Sequence, residues 1–231
     1  MGQVRTSREL TAVLPTLNAA ATLGLALESL GDRLAGLVIA DGGSADATTA
    51  IAAAGARLVT APRGRGSQLA AGTGAVTTRW MLVLHADTRP GPAWRDAAEA
   101  FMAHPANARR AAYFRFVLDD PAPQARRLER MVAWRCRWLG LPYGDQGLLI
   151  SRDFLAELGG YRPIPIMEDV DLVRRIGRAR LVALDQPFVT SAARWREQGW
   201  WWRSARNLAC LALWFAGLPP SRIARLYAGR R

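Results

Sequence analysis

The chain contains no lysine. All 31 of its basic residues are arginine, set against 19 acidic residues, and the formal charge is +12 over 231 residues. Arginine grips phosphate bidentately, but replacement this complete reads as compositional bias more than as function. Cysteine is scarce too. Cys136 and Cys210 lie in apolar stretches with helical patterns, which excludes a disulfide framework and fits a reducing, cytoplasmic compartment. Two Cys and two His also show no spacing for a sulfur-ligated metal. Long apolar runs are missing: the stretch from Asn207 to Ser221 falls short of the roughly 20 residues needed to span a bilayer. The chain reaches Thr6-Ser7-Arg8-Glu9 before any apolar run, so no secretory leader is expected. No repeat, low-complexity tract or clear linker stands out.

What is present suits one large domain, since half of the residues are hydrophobic. The positive balance favours an anionic partner, whether nucleic acid, anionic lipid or a phosphorylated substrate, with a solvated arginine-rich surface as the plain alternative. The first half alternates apolar runs with helical patterns. Leu10–Leu14 reads as a strand ended by Pro15, with Asn18 capping a helix that carries Leu23, Leu27 and Leu30 on one face. Leu37–Ala40 reads as a second strand, followed by a helix capped by Ser44 or Asp46. Arg57–Thr60 is a third, and Trp80–Leu84 a fourth after a helix over Gln68–Val76. This alternation implies βαβ units and a mostly parallel α/β sheet. In the second half, 113–117, 148–150 and 181–184 read as strands. Residues 124–139 and 153–158 read as helices, and everything from Arg196 onward as a helical tail.

The chemistry-bearing residues gather where these strands end. An aspartate at the carboxyl end of a buried parallel strand faces the crevice in which open α/β sheets bind ligands. Asp41, before Gly42-Gly43-Ser44, and Asp87, in His85-Ala86-Asp87, hold that position. A second acidic cluster, Glu168-Asp169, opens a later helical pattern. One carboxylate placed to hold a metal on a phosphate and another available as a base point to group transfer from an activated phosphate ester. Plainer readings stand beside these: a glycine turn with a cap at Asp41, a hydrogen-bonded His85, and dipole-complementing acids at the start of a helix. The loop Arg63-Gly64-Arg65-Gly66 lacks the ending of a Walker phosphate loop. It reads either as a flexible basic loop or as a nucleotide contact through Arg65.

The ordered set Leu14-Pro15-Thr16-Leu17-Asn18, Asp41-Gly42-Gly43-Ser44-Ala45-Asp46, Leu84-His85-Ala86-Asp87-Thr88, Gly144-Asp145-Gln146-Gly147, Gly159-Gly160-Tyr161 and Met167-Glu168-Asp169 resembles family 2 glycosyltransferases of the GT-A fold. The likeness runs from Leu10 to about Trp195 and is nearest the branch described as radical-SAM/selenodomain-associated transferase 2. The resemblance implies a Rossmann-like, mostly parallel central sheet flanked by helices, with a C-terminal helical tail. It implies a single domain: a nucleotide-binding half over about 8–105, an acceptor half over about 106–195 and a tail over about 196–231. Pro15, Thr16, Asp41, Arg65 and Ala86 would hold the nucleotide of a UDP- or GDP-sugar. Asp87, with His85, would hold Mg²⁺ or Mn²⁺. Asp169 would be the base of an inverting transfer to an acceptor hydroxyl, with Glu168 and Asp145 beside the sugar or acceptor. The chain departs from the family pattern at Ala19, where many members carry Glu, and at Gly42, where many carry a second Asp.

Arg194-Trp195 is similar to the end of the Gln-x-x-Arg-Trp motif of processive members, an acceptor or diphosphate site. Ser191 replaces the Gln, so processive synthesis is not expected. In the tail, Trp200-Trp201-Trp202 leads into an apolar helix, and arginines return at Arg222, Arg225, Arg230 and Arg231. Trp and Arg at the edges of an apolar helix suit a bilayer interface. That reading implies peripheral contact with the inner membrane face and a lipid-linked acceptor; packing against the sheet or in a homodimer is the other. Two further functions share parts of this pattern. A nucleotidyltransferase would show a glycine-rich loop where Pro15-Thr16-Leu17-Asn18 stands. A basic nucleic-acid-binding module would interleave its Trp differently, so no specific nucleic acid is expected.

Overall fold

The computed structural model describes residues 9–228. Arg230, Arg231 and Thr6-Ser7-Arg8 lie outside the described residues. In chain order the elements are β1 (Leu10–Thr16), α1 (Ala20–Leu30), β2 (Gly36–Asp41), α2 (Thr48–Ala53), β3 (Arg57–Thr60), α3 (Arg65–Gly74), β4 (Trp80–Val83), β5 (Thr88–Pro90), α4 (Trp94–Ala103), β6 (Ala111–Leu118), α5 (Pro123–Leu139), β7 (Leu148–Ser151), α6 (Arg152–Glu157), α7 (Glu168–Ile176), β8 (Leu181–Thr190), α8 (Ala193–Gln198), α9 (Trp200–Phe215) and α10 (Pro220–Ala228).

One mixed sheet runs through both halves in the order β3-β2-β1-β4-β7-β6-β8-β5. The first four strands are parallel, as the alternation of strands and helices requires; β7 pairs antiparallel with β4 and β6, while β8 runs parallel to β6. β1, β2 and β4 are buried on both faces, which is why they read as unbroken apolar runs, while the edge strand β3 is largely exposed. Leu10, Ala12 and Leu14 of β1 pack with Trp80 and Leu82 of β4 on one face. Val13 packs with Met81 and Val83 on the other. The period of two is the strand's own alternation. Burying each Leu- or Trp-sized side chain here contributes roughly 2 kcal/mol.

The sheet positions the site through its switch point. The chain moves from β1 to β2 and β3 on one side, then returns to β4 on the other side of β1. Helices therefore leave in opposite directions, and a crevice opens at the carboxyl ends of β1, β2 and β4. Thr16, Asp41 and His85 stand at that edge.

Three local expectations are corrected. Pro15 does not end β1, which continues to Thr16 beside Asp41. At that position the ladder tolerates the missing N–H. Asn18 does not cap α1: it adopts φ +50°, and its Oδ1 accepts from the Ala45 N–H at 2.9 Å, tying the two strand-end loops together. The Asp46 carboxylate serves both helices, accepting from Ala20 N and Thr48 N. Finally, β8 continues to Thr190 beyond the expected 184, through an irregularity in its pairing with β6 between Phe114 and Arg115. The strand bulges over Asp185-Gln186, and Asp185 accepts from Arg115 Nε at 2.9 Å.

Candidate active site

The strand-end residues separate into two groups. Pro15, Thr16 and Asp41 are buried at the ends of β1 and β2, and Ala86 is buried beyond β4. Asp41 Oδ1 accepts from Thr16 Oγ1 (3.0 Å) and Ser44 Oγ (2.5 Å), while Oδ2 accepts from the N–H groups of Gly43 (2.9 Å) and Ser44 (2.8 Å). Four donors fill the capacity of one carboxylate. Burial pushes the Asp41 carboxyl up, but the hydrogen bonds from Ser44, Thr16 and Gly43 together win and hold it below the usual range. Gln68 of α3 closes the floor, its Nε2 donating to the carbonyls of Thr16 and Ala40.

The second group lines a cleft of about 790 Å³, solvent mouth included. Arg65, His85, Asp87, Asp145, Asp169, Arg194 and Trp195 all face it. Residues 65, 87, 145, 169 and 194 thus converge from five separate stretches of chain. Glu168 is fully buried behind Arg65, whose Nε stands 2.8 Å from Glu168 Oε1. Burial raises the Glu168 carboxyl to about 7 despite Arg65. Glu168 Oε2 has no hydrogen-bond partner, in keeping with a carboxyl whose charge is only partly compensated.

The local sequence explains this pairing. A β-carbon on Gly66 would overlap the backbone carbonyls of Arg162 and Ile164. Glycine there lets the segment before α7 lie directly on the start of α3, which brings Glu168 to Arg65. Met167 enters α7 in the left-handed region, φ +66°, unusual for a side chain of this size. That turn aims Glu168 inward and Asp169 at the cleft.

Asp169 Oδ2 accepts from the Gly144 N–H at 3.0 Å, and Oδ1 from the Val170 N–H at 2.8 Å. Two backbone donors fix its rotamer while lone pairs on both oxygens stay free for the cleft. Gly144 is also tight against His85: a β-carbon would sit 2.5 Å from the imidazole Nε2. Burial first, then the Arg65 charge, lowers His85 to about 4, so its ring is neutral at ordinary pH. Burial pushes Asp145 up to about 6, with Asp169 and Asp87 adding to the shift against Arg135 and Arg65. Asp145 Oδ1 is buried without a partner. Asp87 stands 3.7 Å from Arg194 Nη2.

A divalent cation suits this donor set. Asp87, the neutral His85 and the orphaned Asp145 oxygen face one cleft, in which the charges of Asp169 and Asp87 add to the raised proton affinity of Asp145. Among the described residues, no group of three or more His, Cys, Asp or Glu side chains could by itself hold a metal ion. Mg²⁺ does not need one, because it keeps several waters and takes phosphate oxygens as ligands.

The tail supplies a wall that the motifs did not reveal. Arg203, Asn207 and Cys210 of α9 and Tyr227 of α10 line the same cleft, along with Tyr143 and Thr190. Positions 203, 207 and 210 follow helical spacing, the one sequence signal that could have marked them. Cys210, Leu211 and Ile223 pack with Ile166, Met167 and Val170, so the tail braces the turn that carries Asp169. Trp195 stacks beneath the Arg203 guanidinium at 4.6 Å. Among the described residues, no helix is long and apolar enough to cross a membrane.

Comparison with known proteins agrees with this architecture. No curated protein matches the chain. Similar folds occur in glucosyl-3-phosphoglycerate synthase from Mycobacterium tuberculosis. One structure of that enzyme, with Mn²⁺, UDP and glucosyl-3-phosphoglycerate, is 21% identical, covers 78% of this chain and 70% of its own, and has a TM-score of 0.56. A second, with Mn²⁺, UDP-glucose and phosphoglyceric acid, is 20% identical over 81% and 75%, with a TM-score of 0.58. A third, with Mg²⁺ and UDP, is 20% identical over 81% and 75%, with a TM-score of 0.57. The profile of Glycosyl transferase family 2 matches residues 11–147, more than half of the chain. The chain therefore belongs to glycosyl transferase family 2, and it is a glycosyltransferase.

Proposed function

We propose that this protein transfers a sugar, with inversion, from a UDP- or GDP-sugar to an acceptor hydroxyl, using Mg²⁺ or Mn²⁺. The observation that carries the reading is the shared cleft: Asp87 on the strand-end side and Asp169 on α7 line it together. Within this reading Asp169 takes the acceptor hydroxyl proton. The acceptor oxygen bonds to the anomeric carbon, the bond from that carbon to the diphosphate breaks, and the electron pair leaves with the nucleoside diphosphate. Asp87 would hold the cation, with His85 and Asp145 beside it. A bound Mg²⁺ or Mn²⁺ would stabilise the charge on the leaving diphosphate. Glu168 holds Arg65 at the phosphate side, and Arg194 with Trp195 frames the diphosphate or the acceptor.

Pro15, Thr16 and Ala86 form the nucleoside pocket with Asp41; a ribose or base contact to Asp41 would replace one of its four internal hydrogen bonds. The metal-bound, UDP-bound neighbours lend support through shared fold. On motif order we place the chain nearest the radical-SAM/selenodomain-associated branch, with residues 8–105 serving the nucleotide, 106–195 the acceptor and 196–231 the cleft wall.

A cytoplasmic protein touching the inner membrane face is the second part of the proposal. Its support is the outer face of α9, where Trp201, Trp202, Leu208 and Phe215 are exposed, with the Arg174 guanidinium 5.0 Å over the Phe215 ring. A membrane contact would bring a lipid-linked acceptor to the cleft. A homodimer covering that face is the competing arrangement. The reading is tested by a thermal-shift panel of nucleoside diphosphates with each metal, because a ligand bound by the native state alone raises its Tm. UDP or GDP should raise Tm only with Mg²⁺ or Mn²⁺ present; no shift with any of them would remove the donor assignment.

A further inference from the structure

Arg203 is an unusual cation. It is only 6% exposed, yet among the described residues no carboxylate lies within ion-pair distance of it or of Arg206. Both guanidinium groups instead share one neutral acceptor, Gln198 Oε1, at 2.9 and 2.6 Å. Arg203 Nε is buried and has no hydrogen-bond partner. Aromatic rings take up part of the strain: Arg203 over Trp195 and Arg206 over Tyr227, at 4.6 and 4.7 Å. Rings and an amide do not neutralise a buried charge, and an uncompensated buried cation is costly. Such a group fits a site completed by an anion.

The position narrows which anion. Arg203 and Asn207 stand one helical turn apart on α9 and line the cleft that holds Asp169, with Arg194 and Tyr227 on its other walls. The donor's diphosphate belongs at Asp87, on the strand-end side. The tail side borders the open space beside the base, where an acceptor must enter. We infer that Arg203 and Asn207 form an acceptor subsite for a phosphate group. Guanidinium and carboxamide donors match phosphate oxygens, as an apolar or neutral sugar acceptor would not require. The inference rests on the reading of this cleft as the transfer site, and it names the acceptor class as a phosphate-bearing alcohol. A soluble phosphomonoester and a lipid phosphate headgroup share that chemistry.

The test is calorimetry on the full chain with UDP and Mg²⁺ saturating, so that the donor side is occupied. The probes are glycerol 3-phosphate and glycerol. Wild-type protein should bind the phosphate probe and not glycerol. Arg203→Gln should weaken that binding by at least about tenfold, the loss of one charge-assisted hydrogen bond. Because Arg203 is buried, Asn207→Asp serves as a near-isosteric second variant: its carboxylate pairs with Arg203, repels the probe, and should leave Tm unchanged or higher. Sedimentation with phosphatidic acid and phosphatidylcholine vesicles separates the sources. Pelleting on phosphatidic acid that Arg203→Gln abolishes assigns a lipid headgroup, while binding confined to the soluble probe assigns a free phosphoester. Equal binding of glycerol and glycerol 3-phosphate, or variants that bind the probe as wild type does, overturns the subsite. If UDP fails to bind but the phosphate probe still discriminates, the donor reading falls and the subsite stands.

Discussion

Arg65 Nε lies 2.8 Å from Oε1 of Glu168, joining the start of α3 to the start of α7 across more than a hundred residues. The carboxylate is fully buried and the guanidinium reaches into the cleft. This pair fixes a cation at the cleft while the neighbouring Asp169 lines the same cleft.

The Glu168 carboxyl has its proton affinity raised from 4.5 to about 7, chiefly by burial. A folded-state value above the unfolded one means that the native state binds more protons. This contribution to stability is therefore complete below pH 4.5 and is lost as pH rises to about 7. Chemical denaturation across that window should show Glu168→Gln with a flatter pH dependence than wild type. An identical slope in both proteins would show that Glu168 titrates normally.

Substituting Asp169 separates chemistry from binding. Asp169→Asn removes the proposed base and keeps one of the two hydrogen bonds from the amides of Gly144 and Val170, because its oxygen accepts but its NH2 only donates. Turnover should fall by roughly 10²–10⁴, with UDP affinity nearly unchanged. Near-full turnover on a working acceptor would reassign the base.

Glycine at position 66 is required by contact. Gly66→Ala drives a β-carbon into the carbonyls of Arg162 and Ile164. The cost should be about 1–3 kcal/mol of stability, in the range of overpacked cores. Loss of the Arg65–Glu168 contact should follow, with weaker UDP binding. A variant as stable as wild type would mean that this segment is free to move away.

The outer face of α9 tests the membrane contact. Trp201, Trp202 and Leu208 are 73%, 75% and 63% exposed, so replacing all three with Ser should change stability little, within about 1 kcal/mol. The triple variant should lose sedimentation with anionic vesicles at low salt. This substitution is cleaner than removing the tail, because α9 and α10 also wall the cleft. Equal pelleting of both proteins, or of neither, would assign the face to something other than a bilayer; a dimer in wild type alone would assign it to a second copy.

The parallel half of the fold was legible because β1, β2 and β4 are buried on both sides, and such strands appear as plain apolar runs. Asp41 and Asp87 could be picked out because acidic residues rarely end such runs without a reason. Other features were hidden by physics that sequence patterns do not carry. Asn18 resembled a cap, but whether an Asx side chain bonds its own helix or a neighbouring loop depends on tertiary approach. The apolar run of β8 stops at Leu184, and only pairing with β6 reveals that the strand continues through a bulge to Thr190. The tail's role was the least visible. The Trp and Arg content of α9 announced two kinds of surface, but only packing against Met167 and Val170 turns Arg203 and Asn207 toward Asp169.

The most direct test of a metal-dependent donor site at Asp87 is calorimetric titration of UDP and GDP into wild-type protein and Asp87→Asn, each with Mn²⁺ and with EDTA. Wild type should bind one of the two nucleotides at least about tenfold more tightly with Mn²⁺ than with EDTA, since the cation joins Asp87 to the phosphates. Asp87→Asn should show the weaker affinity under both conditions. Affinity that ignores the metal in wild type, or a metal response that survives in Asp87→Asn, would contradict the assignment.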